Sequence, residues 1–265
     1  MANIGVITLT YNELPLLRQT LPRLLDQVDI RDIIVMDDGS TDGTSEYLDS
    51  LGIRTIREPV NVKSLGTTKM NSRWVEGMTK LPRVDYDWYM KMDGDVFLSR
   101  SYIHRLTNRM KSDKAVFASG VAETERHYVN VRDNFGIVDA RWLQRNRHLL
   151  HYHAFWAGIY WLARYGGHEA RRYDDITVSL LRPTGQNYKP EIWYNRGIAA
   201  RCIGFSCMYA CVKSAWLFRQ SPEFALAFLR GYRDCKEFYF EALRAFVRRN
   251  SMMHAKARLT RHNKR

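Results

Sequence analysis

The sequence predicts an α/β protein with a mostly parallel central sheet flanked by helices, ending in an amphipathic helical extension. Short β-rich apolar runs alternate with helical stretches through the first 120 residues. The connections between them are short, as parallel βαβ units require. Polar motifs follow directly after three of the apolar runs.

The first run, "IGVITL" (4–9), leads into "TYNE". "LPLLRQTLPRLLDQ" then repeats apolar residues at helical spacing. "IIVM" (33–36) is a strand ending at "DDGSTDGT", and a short helix is expected over 43–51. "IRTI" (53–56) is a strand and "TTKMNSRWVEGMTK" a helix. "WYMKM" (88–92) is a strand running into Asp93. "SYIHRLTNRMK" is a helix capped by Ser99 or Ser101, and "AVFAS" (115–119) a strand. Residues 120–200 are less regular and rich in Trp, Tyr, His and Arg. From Ser221, an N-cap, and Pro222 at the first helical position, an apolar stripe follows. It comprises Phe224, Phe228, Tyr232, Cys235, Tyr239, Ala242 and Phe246, on a helix expected to be interrupted near Gly231. This stripe either docks on the protein or lies in a membrane interface. The expected division is a main domain over 1–200, with halves 1–120 and 121–200, and a basic helical region over 201–265.

A chain of 265 residues, 45% hydrophobic and 26% charged, can bury a substantial core. Its net charge of +13 is concentrated at one end. Residues 212–265 carry 13 Lys/Arg against 4 Asp/Glu, and no acidic residue follows Glu241. Such an end is either a solvated tail or a binder of lipid head groups, a phosphorylated substrate or nucleic acid. No uncharged apolar run reaches the ~18 residues of a membrane span. The nearest, "GIAARCIGFSCMYACV", contains Arg201 and is too short. The N-terminus shows no basic n-region of a signal peptide. The expected location is therefore cytoplasmic, with the basic end able to rest on the membrane face. Cys202, Cys207, Cys211 and Cys235 form no C-x-x-C and read as core packing. "HLLHYH" (His148, His151, His153) lacks a partnering carboxylate motif for metal binding.

Neither G-x-G-x-x-G nor G-x-x-x-x-G-K-[ST] occurs after the first strand, which argues against dinucleotide and P-loop chemistry. In open α/β sheets, ligands bind outside the carboxyl ends of the strands. "TYNE", "DDGSTDG" and "DGD" all fall at such ends. Tyr11, Asn12 and Glu13 offer an aromatic face and polar tips suited to a nucleobase and ribose. Asp93-Gly94-Asp95 reads two ways, as a hairpin turn or as a ligand pair. An EF-hand is excluded because positions 97 and 98 are Phe and Leu. In an extended segment, side chains at i and i+2 share a face. Two carboxylates leave a hard cation to complete its shell with water and phosphate oxygens, the usual manner of Mg2+ or Mn2+.

"VITLTYNE", "IIVMDDGSTDGT", "REPVNVKSLGTTKMNSRWVEG" and "YMKMDGDVFLS" together resemble, over residues 3–120, the nucleotide-binding half of family 2 glycosyltransferases of the GT-A fold. "WAGIYWLARYGGHEARRYDDITVSLLRPTGQNYK" resembles the family's acceptor-side segment. There an acidic Glu-Asp dipeptide opens a helix that ends near a glycine; Asp174-Asp175 and Gly185 stand at those places. The resemblance implies that Tyr11 packs on the base of a sugar nucleotide. Asp38, with Asp37 beside it, would read the base edge, and Glu13 would lie near the ribose. Lys63 or Lys69 would meet a phosphate. Asp93 would contact ribose or metal-bound water, and Asp95 would bind the Mn2+ or Mg2+ that bridges the phosphates. Asp175 would be the general base of an inverting transfer, with Asp174 and Trp156 on the acceptor side. A base favours a hydroxyl acceptor, since a phosphate is already ionised. The expected activity is metal-dependent transfer from a nucleotide sugar to a hydroxyl of a lipid-linked or surface glycan. The alternatives are a polyprenyl-phosphate glycosyltransferase, a nucleotidyltransferase and a nucleic-acid-binding protein. "TLTYNELP" lacks the glycine- and basic-rich loop that a nucleotidyltransferase needs, and no nucleic-acid reader motif is present.

Overall fold

The computed structural model describes residues 3–61, 68–126, 131–183 and 189–262, with side chains as far as Ser251. In chain order its elements are β1 (Ile4–Thr10), α1 (Leu14–Leu25), β2 (Ile33–Asp37), α2 (Thr44–Ser50), β3 (Arg54–Arg57), α3 (Thr68–Lys80) and β4 (Trp88–Asp93). There follow β5 (Val96–Leu98), α4 (Tyr102–Asp113), β6 (Ala115–Ala122), β7 (Ile137–Asp139), α5 (Ala140–Asn146), α6 (Phe155–Tyr165) and β8 (Glu169–Leu180). Four helices close the chain: α7 (Pro190–Ile203), α8 (Cys207–Phe218), α9 (Pro222–Asp234) and α10 (Glu241–His262).

The chain forms two compact units. The first holds all eight strands with α1–α5; the second holds α6–α10. This differs from the division at residue 200 expected from the sequence, because α6 and α7 belong with the C-terminal helices. In the first unit the strand order is β3-β2-β1-β4-β7-β6-β8-β5. β1, β2, β3 and β4 are parallel, β7 runs antiparallel to β4 and β6, and β5 runs antiparallel to β8. Residues of β2 and β4 are buried almost throughout, so these strands read as continuous apolar runs rather than alternating ones. The register sets Thr10 opposite Asp37 and Leu9 opposite Asp93, which brings the three polar motifs to one edge.

Asp93-Gly94-Asp95 does not close a hairpin. β4 pairs with β1 and β7, whereas β5 pairs with β8, so the Gly94–Asp95 turn carries the chain to another place in the sheet. Asp174-Asp175 opens no helix, contrary to the expectation carried over from the family pattern; both lie within β8. Arg172 pairs with Ser119 and Thr177 with Val121, so the residues 173–176 bulge against Gly120 alone. A Cβ on Gly120 would run into the Ile176 carbonyl. The β-branched run Ile176, Thr177, Val178 returns the chain to the ladder and overrides any helical start.

In the second unit, α7 and α9 cross with backbones in close approach. A Cβ on Gly197 would meet the Phe228 carbonyl, and one on Gly231 would meet the Tyr194 carbonyl. Gly231 therefore does not interrupt the helix as expected; it is where α7 passes. The break lies at 235–240 instead, where Tyr239 donates its backbone N–H to the Cys202 carbonyl (3.1 Å) and its hydroxyl accepts from the His151 N–H (3.0 Å). Phe228, Tyr232, Cys235 and Tyr239 are buried. Of the apolar stripe that the sequence offered to a membrane, these four residues pack against the protein, Phe224 and Phe246 are half-buried and Ala242 is exposed. Cys202 and Cys235 are buried as expected, but Cys207 and Cys211 are exposed on α8. Among the described residues, no helix is long and apolar enough to cross a membrane.

Gly231→Ala distinguishes a crossing from a hinge. Alanine is the better helix former by about 1 kcal/mol, yet the variant is expected to be less stable by about 1–3 kcal/mol through overpacking. Urea denaturation measures the sign.

Candidate active site

The site is built on the carboxyl ends of β1, β2 and β4. The loop after β1 is shaped by Asn12 in the left-handed region (φ 51°). Its N–H donates to the Ser40 hydroxyl (2.9 Å), and its side-chain oxygen accepts from the Thr41 N–H (2.8 Å). Asp42 accepts from the Leu14 N–H at the start of α1 (3.1 Å). The first two polar motifs therefore brace one another. Asp37, 1% exposed, accepts from the Ser40 N–H (3.0 Å), the Ser40 hydroxyl (2.6 Å) and the Ser45 hydroxyl. Both its oxygens are engaged in holding the loop. Asp38 is half-buried and donates its N–H to the Thr10 carbonyl (2.9 Å). The Tyr11 ring stands 42% exposed at the rim.

Beneath these loops lies a cluster of charges. Glu13 is buried, accepts from the Thr10 hydroxyl (3.1 Å) and pairs with Arg182. Arg182 also donates from Nε to Asp95 (3.2 Å) and so bridges the two carboxylates. Lys91, inside β4 and 2% exposed, pairs with Asp93 and faces Asp133 at 3.8 Å. Burial alone would push the Lys91 ammonium pKa down, but Asp93, Asp133 and Asp95 outweigh it and hold the pKa above the ordinary lysine value. Burial pushes the Glu13 carboxyl up to about 7, against the opposing pull of Arg182. Gly94 leaves room for this arrangement: a Cβ would run into the Glu13 carboxylate and displace it. Thr20 on α1 donates to the Gly94 carbonyl (3.0 Å) and fixes the turn from behind. The Leu181 N–H donates to the Asp95 carbonyl (2.9 Å), tying the end of β8 to the same turn.

Glu13, Asp93 and Asp95 thus come together in the first unit. Lys69 is exposed in the first turn of α3, and Trp156 is buried in α6 of the second unit. Lys63 and Gly185 fall outside the described residues. Asp175 sits in the β8 bulge, seven positions before Arg182, and faces Arg105 (3.5 Å) and Arg109 (3.3 Å) of α4. Asp174 pairs with Arg172. Sequence reasoning missed Arg182, Lys91 and Asp133. Lys91 left a signal, since a lysine inside the apolar run "WYMKMD" must be paired once buried.

Among the described residues, no three His, Cys, Asp or Glu side chains converge as a closed metal cage. The donor chemistry nonetheless fits a hard cation held jointly with phosphate. Asp93, Asp95 and Asp133 outnumber Lys91 and Arg182, and Asp95 offers carboxylate oxygens beside the turn.

Two expectations follow from this geometry. Glu13 holds its proton in the folded chain up to about pH 7, while the unfolded chain releases it near the ordinary 4.5. Stability should therefore fall as pH rises through that window, by about 3 kcal/mol at most. Glu13→Gln should flatten the decline in urea titrations. Arg182→Ala should strengthen binding of Mn2+ alone by about tenfold, on the scale of one charge-assisted hydrogen bond. Calorimetry on the donor-free protein tests this.

The family model described as Glycosyl transferase family 2 matches residues 5–160. An "Undecaprenyl-phosphate mannosyltransferase" of Micrococcus luteus is 31% identical over 112 residues, 42% of this chain and 45% of that protein. The chain thus spans less than half the length of this curated relative. Among solved structures, the mannosyltransferase PcManGT of Pyrobaculum calidifontis, in complex with GDP-Man and Mn2+, superposes with a TM-score of 0.57 at 16% identity. That match covers 85% of this chain and 68% of the other. S. aureus TarS in complex with UDP-GlcNAc gives 0.55 at 14% identity, covering 76% and 66%. These likenesses place the fold in the GT-A class. With the family model matching more than half its length, the chain belongs to glycosyl transferase family 2.

Proposed function

We propose that this protein transfers a sugar from a nucleotide-sugar donor to the phosphate of a polyprenyl-type lipid carrier, with inversion. Family membership supports the transferase reading. The observation that carries the site assignment is the Glu13–Arg182–Asp95 bridge at the carboxyl edge of the sheet. Tyr11 and Asp38, at the rim of the same edge, would receive the base. Arg182 would stand by the diphosphate and offset the charge that develops on the leaving group. A divalent cation held by Asp95, with Asp93 beside it, would supply Lewis-acid neutralisation of that same charge.

The acceptor reading shifts from hydroxyl to phosphate. The place of Asp175, in the β8 bulge against two arginines of α4, argues against its serving as a base at the Asp95 edge. A phosphate acceptor needs no base: its ionised oxygen attacks the anomeric carbon, the bond to the diphosphate breaks, and the nucleoside diphosphate leaves with the electron pair. The name of the Micrococcus luteus relative supports the same choice of acceptor.

Transfer assays with a panel of nucleotide sugars, polyprenyl phosphate and Mn2+ test the reading. Asp95→Asn should lower kcat/KM by about 100-fold or more. Asp175→Asn should change it by no more than about threefold, as befits an exposed ion pair. Loss of turnover in Asp175→Asn with unchanged KM would restore the base and the hydroxyl acceptor.

A further inference from the structure

Helix α8 is apolar on the side the protein buries and also on the side it leaves open. Ala210 and Leu217 face inward, in a cluster with Trp193, Phe228 and Tyr232. Met208, Cys211, Val212, Ala215, Trp216 and Phe218 are exposed, Val212 and Phe218 to 61% each. No exposed position of α8 carries a charge. A surface helix ordinarily turns a polar face to water, and a contiguous exposed apolar face marks an interaction surface. The sequence pointed to residues 221–265 for such a role, but Phe228, Tyr232, Cys235 and Tyr239 of their stripe are packed inward.

Charge selects the occupant. α8 has no acidic residue, and the ammonium of Lys213 lies 3.9 Å over the Trp216 ring. It also lies 5.2 Å over the ring of buried Trp193, so the one cation of α8 is held between the two rings. Arg219, directly after α8, is exposed, and residues 212–251 carry 8 Lys/Arg against 4 Asp/Glu. A second copy docked on this face through a two-fold axis would set this net positive charge against its like; an anionic bilayer does the opposite. A helix of 12 residues spans about 18 Å, too short to cross a hydrocarbon core of about 30 Å. We propose that α8 is an interfacial helix that seats the second unit on an anionic lipid surface, with Met208, Val212 and Trp216 entering the acyl boundary and the basic residues meeting the head groups. The inference stands on α8 and its charges, and it holds whatever the acceptor of the sugar is.

The test is flotation of the full chain with vesicles of phosphatidylcholine, alone or mixed with phosphatidylglycerol. Maleimide labelling of Cys211 is followed in parallel. The chain should float with the anionic mixture, and Cys211 labelling should slow by about tenfold. Val212→Asp and Trp216→Asp, at exposed positions, should each weaken vesicle binding by about tenfold while leaving the melting temperature and the donor thermal shift unchanged. Absence of flotation with either vesicle, or flotation untouched by both variants, would overturn the proposal. Protection of Cys211 without lipid, in a chain that runs as a dimer, would assign the face to a second copy instead.

Discussion

The Arg182 bridge between Glu13 and Asp95 is the interaction on which the rest of the site depends. It joins the start of α1, the turn after β4 and the end of β8, three segments far apart in sequence. It also offsets negative charge at an edge where carboxylates outnumber cationic side chains. Buried carboxylates persist only when paired, hydrogen-bonded or protonated. Glu13 has Arg182 and the Thr10 hydroxyl as partners, and burial lifts its pKa so that below about pH 7 it is protonated instead. The glycine of the Asp-Gly-Asp sequence serves the same arrangement, because the space a side chain would take is filled by the Glu13 carboxylate.

A site arranged this way is prepared for exchange. Arg182 pairs with Asp95, so under the proposed function a cation reaching Asp95 would compete with its guanidinium. A diphosphate gives Arg182 another anion to hold. Under the proposed function, donor and cation binding would be coupled through this one side chain. The loops above can remain fixed meanwhile, since Asp37, Ser40, Asn12 and Asp42 hold them to one another.

The first 120 residues were legible because β2 and β4 are buried almost throughout and read as unbroken apolar runs such as "IIVM". The polar motifs then marked the carboxyl edge directly. β5 and β7 were not legible: with three residues each, they carry no periodicity. Arg182 was hidden for another reason, since its partner Glu13 lies 169 positions away and no local pattern reports such a contact. The Asp174-Asp175 expectation failed because a family pattern was given more weight than the β-branched residues that follow it. Gly231 was misread as a break because a helical glycine can mark either a hinge or a close crossing. Only the partner helix decides which.

Calorimetric titration of GDP and UDP, with and without Mn2+, measures the proposed nucleotide binding at the Asp95 edge. At least one should bind to the native chain, more tightly with Mn2+, and the metal-dependent gain should vanish in Asp95→Asn. No binding by either nucleotide under any condition, or a metal-dependent gain that survives Asp95→Asn intact, would contradict it.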